Sequence, residues 1–188
     1  MNESSQHNRK LVSAYDRMVE RVKTLLDELE QAEKEALPNL HRSIEHAAEK
    51  AVELGELTRE EAHQVGAYLK RDLQDAGHYL AETGHDLNTW LRFDLELIEE
   101  RLLEFFASAA DKTRLELLSF SETIERASHY TSGEITGPGT LQCDQCGKPL
   151  AFHATAVIPN CPACGATVFT RVMDADESSD SEGTPPES

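Results

Sequence analysis

Cys143-Asp144-Gln145-Cys146-Gly147 and Cys161-Pro162-Ala163-Cys164-Gly165 decide how this chain is read. They are two C-x2-C pairs separated by a 14-residue spacer, one short of the usual spacing of about 15–20 in four-cysteine metal sites. Each pair turns two thiols toward one ion from a tight knuckle. Gly147 and Gly165 follow directly, where the knuckle needs a positive φ and where a side chain would crowd the amides that donate to sulfur. Two such knuckles supply four soft, anionic ligands in tetrahedral geometry, the preference of zinc. The spacing therefore predicts one Zn2+ held by Cys143, Cys146, Cys161 and Cys164. Four thiolates leave no open position for water, so the predicted role is structural rather than hydrolytic. A redox reading also exists, because paired thiols release zinc when oxidised to disulfides. His129 and His153 flank the site and, with four cysteines filling it, read as exposed or outer groups.

Working outward, the flanks predict a β ribbon. Thr140-Leu141-Gln142 enters the first knuckle and Pro149-Leu150-Ala151-Phe152 leaves it. Ala156-Val157-Ile158 approaches the second, and Thr167-Val168-Phe169-Thr170-Arg171-Val172 follows it. These are short β-prone pieces separated by turn residues. A module this small lacks the core to hold itself together, so zinc is expected to supply much of its folding free energy.

Composition divides the 188 residues into three parts. Residues 1–130 carry 16 basic and 27 acidic side chains, residues 131–173 two of each together with every cysteine, and residues 174–188 six acidic and no basic ones. The expected domains are a helical, coiled-coil-like region at 1–130, a zinc ribbon at 131–173 and a disordered acidic tail at 174–188. The formal charge of −17 argues against direct contact with a bare phosphate backbone or an anionic membrane. In the ribbon only Lys148 and Arg171 are cationic, and zinc on four thiolates would make its net charge −2.

The first region is helical by periodicity. Leu11, Tyr15, Met18, Val22, Leu25, Leu29, Ala32 and Ala36 form a heptad seam, widened by Val12, Val19 and Leu26. Leu37-Pro38 ends or kinks that helix. A second helix carries Leu40, Ile44, Ala47, Ala51 and Leu54, with Gly55 as its cap. Thr58 and Glu61 read as a capping box that opens a third helix, with Ala62, Val65, Leu69, Leu73, Ala76 and Leu80 on its buried face. Gly66 and Gly77 weaken it, and Gly84 ends it. Asp86 caps a fourth helix whose wide apolar face runs from Leu87 to Ala109, and Asp111 starts a further helical stretch. The expected fold is mainly α: long amphipathic helices in a hairpin or antiparallel bundle, followed by a small β zinc ribbon. The spacing leaves open whether the first seam packs within the chain or against a second copy.

Glu60-x-x-His63, Asp75-x-x-His78 and Glu82-x-x-His85 resemble the acid-x-x-His step of di-iron bundles. Composition alone yields roughly 1.5 such pairs, so a solvated acidic face is the better reading. The sequence shows no phosphate-binding glycine loop, no nucleophile elbow and no apolar run long enough to span a membrane, and the start Met1 to Lys10 leads to the expectation of no signal peptide. The expectation is a cytoplasmic protein that is not an enzyme.

Several stretches taken together resemble the YbeL-like family of bacterial zinc-ribbon-containing proteins. They are Gly55-Glu56-Leu57-Thr58-Arg59, Arg71-Asp72-Leu73, Asp111-Lys112-Thr113, Tyr130-Thr131-Ser132-Gly133-Glu134 and the two knuckles. The resemblance spans roughly residues 10–172, is densest after Asp111, and lacks a counterpart for the acidic tail. It implies metal binding at the four cysteines and a bacterial cytoplasmic origin, and it supplies no activity. The functional expectation is an interaction or adaptor protein with an unidentified protein partner. A regulator recruited to transcription or translation machinery and a zinc-linked redox sensor are the alternatives.

Overall fold

A computed structural model describes residues 3–31, 40–83 and 129–172. Three helices come first: α1 (Glu3–Gln31), α2 (Leu40–Glu53) and α3 (Arg59–Thr83). Six short strands follow: β1 (His129–Thr131), β2 (Ile135–Thr136), β3 (Gly139–Cys143), β4 (Pro149–Phe152), β5 (Ala156–Val157) and β6 (Val168–Arg171). One antiparallel sheet runs β1-β6-β3-β4, and β2 pairs with β5 in a second. The strand predictions fall on β3, β4, β5 and β6. Strands β1 and β2 were not anticipated, because two or three residues are too few to show a period. The expected fourth helix, the stretch after Asp111, the Pro38 break and the acidic tail all lie outside the described residues.

The three helices pack on one another. Leu11, Tyr15, Met18 and Val22 are buried as the heptad spacing predicts. Leu25 is only half-buried, whereas Ala14, Val19 and Leu26 are buried. The reason is that α1 touches α2, α3, β2 and β5 at once. A face shared among several neighbours is broader than a two-helix seam, and a helix of 3.6 residues per turn drifts away from a strict seven-residue spacing. On α2, Leu40, Ile44, Ala47 and Ala51 are buried. Leu54 is not: it is 57% exposed, because the helix has ended at Glu53. Gly55, at φ +68°, then turns the chain. Its amide donates to Val52 O and the Glu56 amide to Ala51 O, each at 3.0 Å. That pairing satisfies the last carbonyls of α2. Leu57, at 4% exposure, takes the inner position instead.

The capping box forms. Thr58 N donates to Glu61 Oε2 at 2.8 Å, and Glu61 N to Thr58 Oγ1 at 3.2 Å. Glu61 also receives Lys10 Nζ of α1 at 2.7 Å, and that lysine is the main reason its carboxyl lies below its ordinary pKa. On α3, Ala62, Val65, Leu69, Leu73 and Ala76 are buried, as predicted.

Gly66 faces α1 and α2 closely enough that an added Cβ would lie 3.5 Å from Ile44 Cγ2 and 3.9 Å from both Ala48 Cβ and Met18 Sδ. These are ordinary contact distances. Gly66→Ala is therefore expected to stabilise the chain by about 0.5–1 kcal/mol, through a less flexible unfolded state and a better helix former. Urea denaturation checks it, the expected result being a higher midpoint at unchanged slope. No helix among the described residues is long and apolar enough to cross a membrane.

Candidate metal centre and its seat on the helices

The two knuckles are built alike. Cys143 N donates to Lys148 O at 3.0 Å, and Cys161 N to Ala166 O at 2.8 Å. Gly147 N donates to Cys143 O and Gly165 N to Cys161 O, both at 2.8 Å. The two glycines take φ of +71° and +76°, as the knuckle turn requires. Each knuckle buries its first cysteine and exposes its second. Cys143 and Cys161 belong to the small ribbon core with Tyr130, Leu141, Phe152, Ile158 and Phe169.

All four sulfurs lie within 4.8 Å of one another. Cys143 Sγ is 3.6 Å from Cys164 Sγ, and Cys146 Sγ is 3.6 Å from Cys161 Sγ. A disulfide needs about 2.05 Å. Tetrahedral zinc, at about 2.3 Å from each sulfur, places its ligands about 3.8 Å apart. The cage thus has the size of a metal site. Its protonation points the same way. Burial raises the Cys161 thiol, but the amides of Ala163 and Cys164 and the neighbouring thiols outweigh that and bring it down to about 6. The amide of Ala166 lowers Cys164, but the surrounding cysteines reverse this and push it up to about 12. One thiol gives up its proton easily and its neighbour then holds on, because crowded sulfurs cannot all be anions without a cation among them.

His129 and His153 are exposed and do not join the cluster. His129 Nδ1 is 3.7 Å from Asp144 Oδ2, and Asp144 Oδ1 also receives Thr170 Oγ1 at 2.8 Å. Among the described residues the four cysteines are the one group gathered tightly enough to hold a metal ion. Glu60 and His63 are exposed on α3, and Asp75 Oδ2 accepts from Tyr130; the side chains of His78, Glu82 and His85 lie outside the described residues.

Sequence reasoning missed how the ribbon sits on the helices. Ile135 of β2 is fully buried in the helical core beside α1 and α3, with Val157 of β5 packed against it. Next to it lies a buried polar cluster. Arg171, at the end of β6 and 3% exposed, donates from Nε and Nη2 to Tyr130 Oη at 3.1 and 3.0 Å. It also donates from Nη2 to Thr136 Oγ1 at 2.8 Å and from Nη1 to Pro138 O at 3.2 Å. Tyr130 in turn donates to Asp75 Oδ2 of α3 at 2.6 Å.

Asp72 of α3 has no solvent exposure. Its Oδ2 receives Tyr15 Oη of α1 at 2.8 Å and Gly137 N at 2.7 Å. Its Oδ1 lies between two guanidinium groups, 3.5 Å from Arg71 Nε and 3.4 Å from Arg171 Nη2. Arg71 stacks its guanidinium 3.8 Å from the Tyr130 ring centre, and it reaches Glu134 Oε2 at 2.5 Å and Ile135 O at 3.0 Å. Burial would lower both arginines, but Tyr130 and the nearby carboxylates more than restore them, so both remain charged. The sequence counted Arg171 only as one of the ribbon's two cations and did not say where its side chain lies; the structure buries it. β6 alternates, and Arg171 shares the inward face of Phe169. That shared parity was the one signal in the sequence. It had no weight without knowing that Asp72 waits on the far side.

This cluster also accounts for two stretches that carried the family resemblance. Arg71-Asp72 and Tyr130-Thr131-Ser132-Gly133-Glu134 are far apart in sequence and meet here. The second stretch is a turn, with Gly133 at φ +93° donating to Ile158 O at 2.8 Å, and Ser132 Oγ donating to Pro159 O at 3.0 Å.

Burial, and then the Asp72 carboxylate, hold the Tyr15 hydroxyl well above its ordinary 10.0. Burial raises Tyr130 too, against the charge of Arg171 and together with Asp72 and Asp75. A pKa raised by folding means that the folded state binds the proton more tightly. Its contribution is complete below the ordinary tyrosine value and is lost as pH rises through the folded one. Stability is therefore expected to fall on going from about pH 8 to about pH 11, and to fall less in Tyr15→Phe. Urea midpoints across that range test it; an equal alkaline loss in Tyr15→Phe would contradict the assignment.

Two antiparallel C-x2-C knuckles at the end of short strands, with a cage of metal-site size, define a zinc-ribbon protein. The family model described as "Zinc-ribbon containing domain" matches residues 27–173, and the chain belongs to that family. It is 28% identical over 171 residues to the Escherichia coli K12 protein described as "Uncharacterized protein YbeL", covering 91% of this chain and 97% of the relative. The YbeL proteins of E. coli O6:H1 and O157:H7 match with the same figures. These relatives place the chain in a YbeL-like zinc-ribbon family of unknown function. No solved structure matches it.

Proposed function

We propose that this chain is a zinc-binding, non-enzymatic interaction or adaptor protein. One structural Zn2+ is held by Cys143, Cys146, Cys161 and Cys164. The observation that carries the reading is the closed cage of four sulfurs, which leaves no ligand position for substrate or water. Bound zinc supplies four strong bonds and with them the cohesion that the ribbon's small core lacks. The charge distribution supports a protein partner, in particular one with a basic surface. Arg171 is buried, so Lys148 is the one exposed Lys or Arg among residues 131–172. A single cation is far short of the cluster that phosphate-backbone binding needs. The packed helices offer the docking surface, in a cytoplasmic setting.

Affinity capture from the native cell tests this, comparing the intact chain with a Cys161→Ser, Cys164→Ser variant. A discrete protein partner retained by the first and lost by the second is the expected result. A turnover activity that disappears on changing one polar helix residue, with folding intact, would refute the non-enzymatic reading. Nucleic-acid binding at low salt by the purified chain would favour the regulator instead.

A further inference from the structure

We propose that metal loading of the ribbon and docking of the ribbon on the helices are one linked equilibrium, transmitted along β6. The inference rests on the zinc reading above and adds a regulatory consequence to it.

β3 and β6 connect the two ends. Cys143 pairs with Phe169, Gln142 with Thr170 and Leu141 with Arg171. The strand that faces the first metal-site cysteine therefore places, two residues on, the arginine that enters the helical seat. On that seat Arg171 meets Asp72, and Tyr130 of β1 meets Asp75. Asp72 and Arg171 have almost no solvent exposure. A carboxylate buried this completely is tolerable only while its guanidinium partners are in place. Gly139 makes the approach feasible: at φ +144°, an added Cβ there would lie 1.9 Å from Arg171 Nη1.

Without the metal, the pairing of β3 with β6 has little to hold it, because the ribbon core is seven buried residues, two of them the cysteines Cys143 and Cys161. If β6 loosens, Arg171 leaves, and Asp72 remains charged between α1 and α3 with Arg71 alone of its two guanidinium partners. The ribbon must then undock, baring Tyr15, Arg71, Asp72 and the pocket that Ile135 fills. Metal loss thereby turns an internal contact into an exposed surface of mixed apolar and charged character. Linkage requires the reverse as well: whatever weakens the seat on the helices must weaken zinc binding, although none of the described helix residues belongs to the cysteine cluster.

The test measures zinc affinity of the full chain by competition with a chromogenic chelator, for the unaltered chain, Asp72→Asn and Tyr15→Phe. Asp72→Asn removes the buried charge, and Tyr15→Phe removes one hydrogen bond from α1 while keeping the ring. Zinc binding is expected to weaken by about 10-fold or more in Asp72→Asn and by about 3-fold in Tyr15→Phe, within the range of ordinary coupling between sites. In parallel, chelating the metal is expected to lower the melting temperature of the helices, followed by far-ultraviolet circular dichroism. Should Asp72→Asn fail to fold, Tyr15→Phe and the chelation experiment carry the test. Zinc affinity unchanged in the folded variants, or a helical melt indifferent to chelation, overturns the coupling and leaves the metal site standing. An unaltered chain that retains no zinc overturns both.

Discussion

Cys161→Ser is expected to strip the metal from the chain and to unfold residues 129–172. Cys161 is buried, accepts amide hydrogen bonds from Ala163 and Cys164, and has its thiol lowered to about 6. Those amides favour its thiolate form, the form that binds zinc. A serine hydroxyl at the same place stays protonated and is a poor ligand for zinc. Losing even an outer partner of a metal ligand costs about 10–100-fold in affinity, and losing a ligand costs more. Structural zinc contributes about 10–16 kcal/mol of apparent binding free energy in small zinc modules, so little else is left to hold the strands. Metal content by atomic emission should fall from one ion per chain to near zero, and the amide NMR signals of the ribbon should collapse toward unfolded positions. A variant that keeps its zinc and its dispersed ribbon signals would show that the cage is not the ligand set.

The second large effect is expected from Arg171→Met. The substitution keeps most of the side-chain volume and removes the guanidinium. It leaves Asp72 without one of its two countercharges, and it leaves Thr136 Oγ1 and Pro138 O without their donor. Breaking a buried pair on one side costs about 3–5 kcal/mol, because the remaining charge cannot be resolvated. Arg171→Lys is expected to recover little, since an ammonium cannot serve Tyr130, Thr136 and Pro138 from a planar fork. Urea denaturation of the zinc-loaded chain measures both. In the Asp72→Asn background the cost of Arg171→Met should shrink, because the stranded charge is gone. A loss under about 1 kcal/mol would mean that the cluster contributes packing rather than electrostatics.

How much of this was legible in the sequence depends on how local the cause is. Gly55 and the Thr58–Glu61 box were readable because a helix end is determined by the few residues around it. The knuckles were readable because a turn, a glycine and two thiols fall within five residues of one another. Leu54 was misread because period alone does not say where a helix stops. The breadth of the buried face on α1 was underestimated because the spacing counts one neighbour and the helix has several. Strands β1 and β2 were overlooked because their pairing partners, β6 and β5, lie 20 or more residues away.

By itself the sequence determined the pairing of the four cysteines into two knuckles, the glycines that close them, the strands beside them and the apolar stripes of three helices. Each of these follows from residues close along the chain. Only the tertiary structure decided that Arg171 is an internal residue, that Asp72 and Asp75 are its counterpart on α3, and that the ribbon is seated on the helices through them. The physical reason is that a charged side chain carries no local mark of burial. Arg171 and Asp72 are stable inside only because each finds the other across about a hundred residues of chain, and that meeting exists in three dimensions alone.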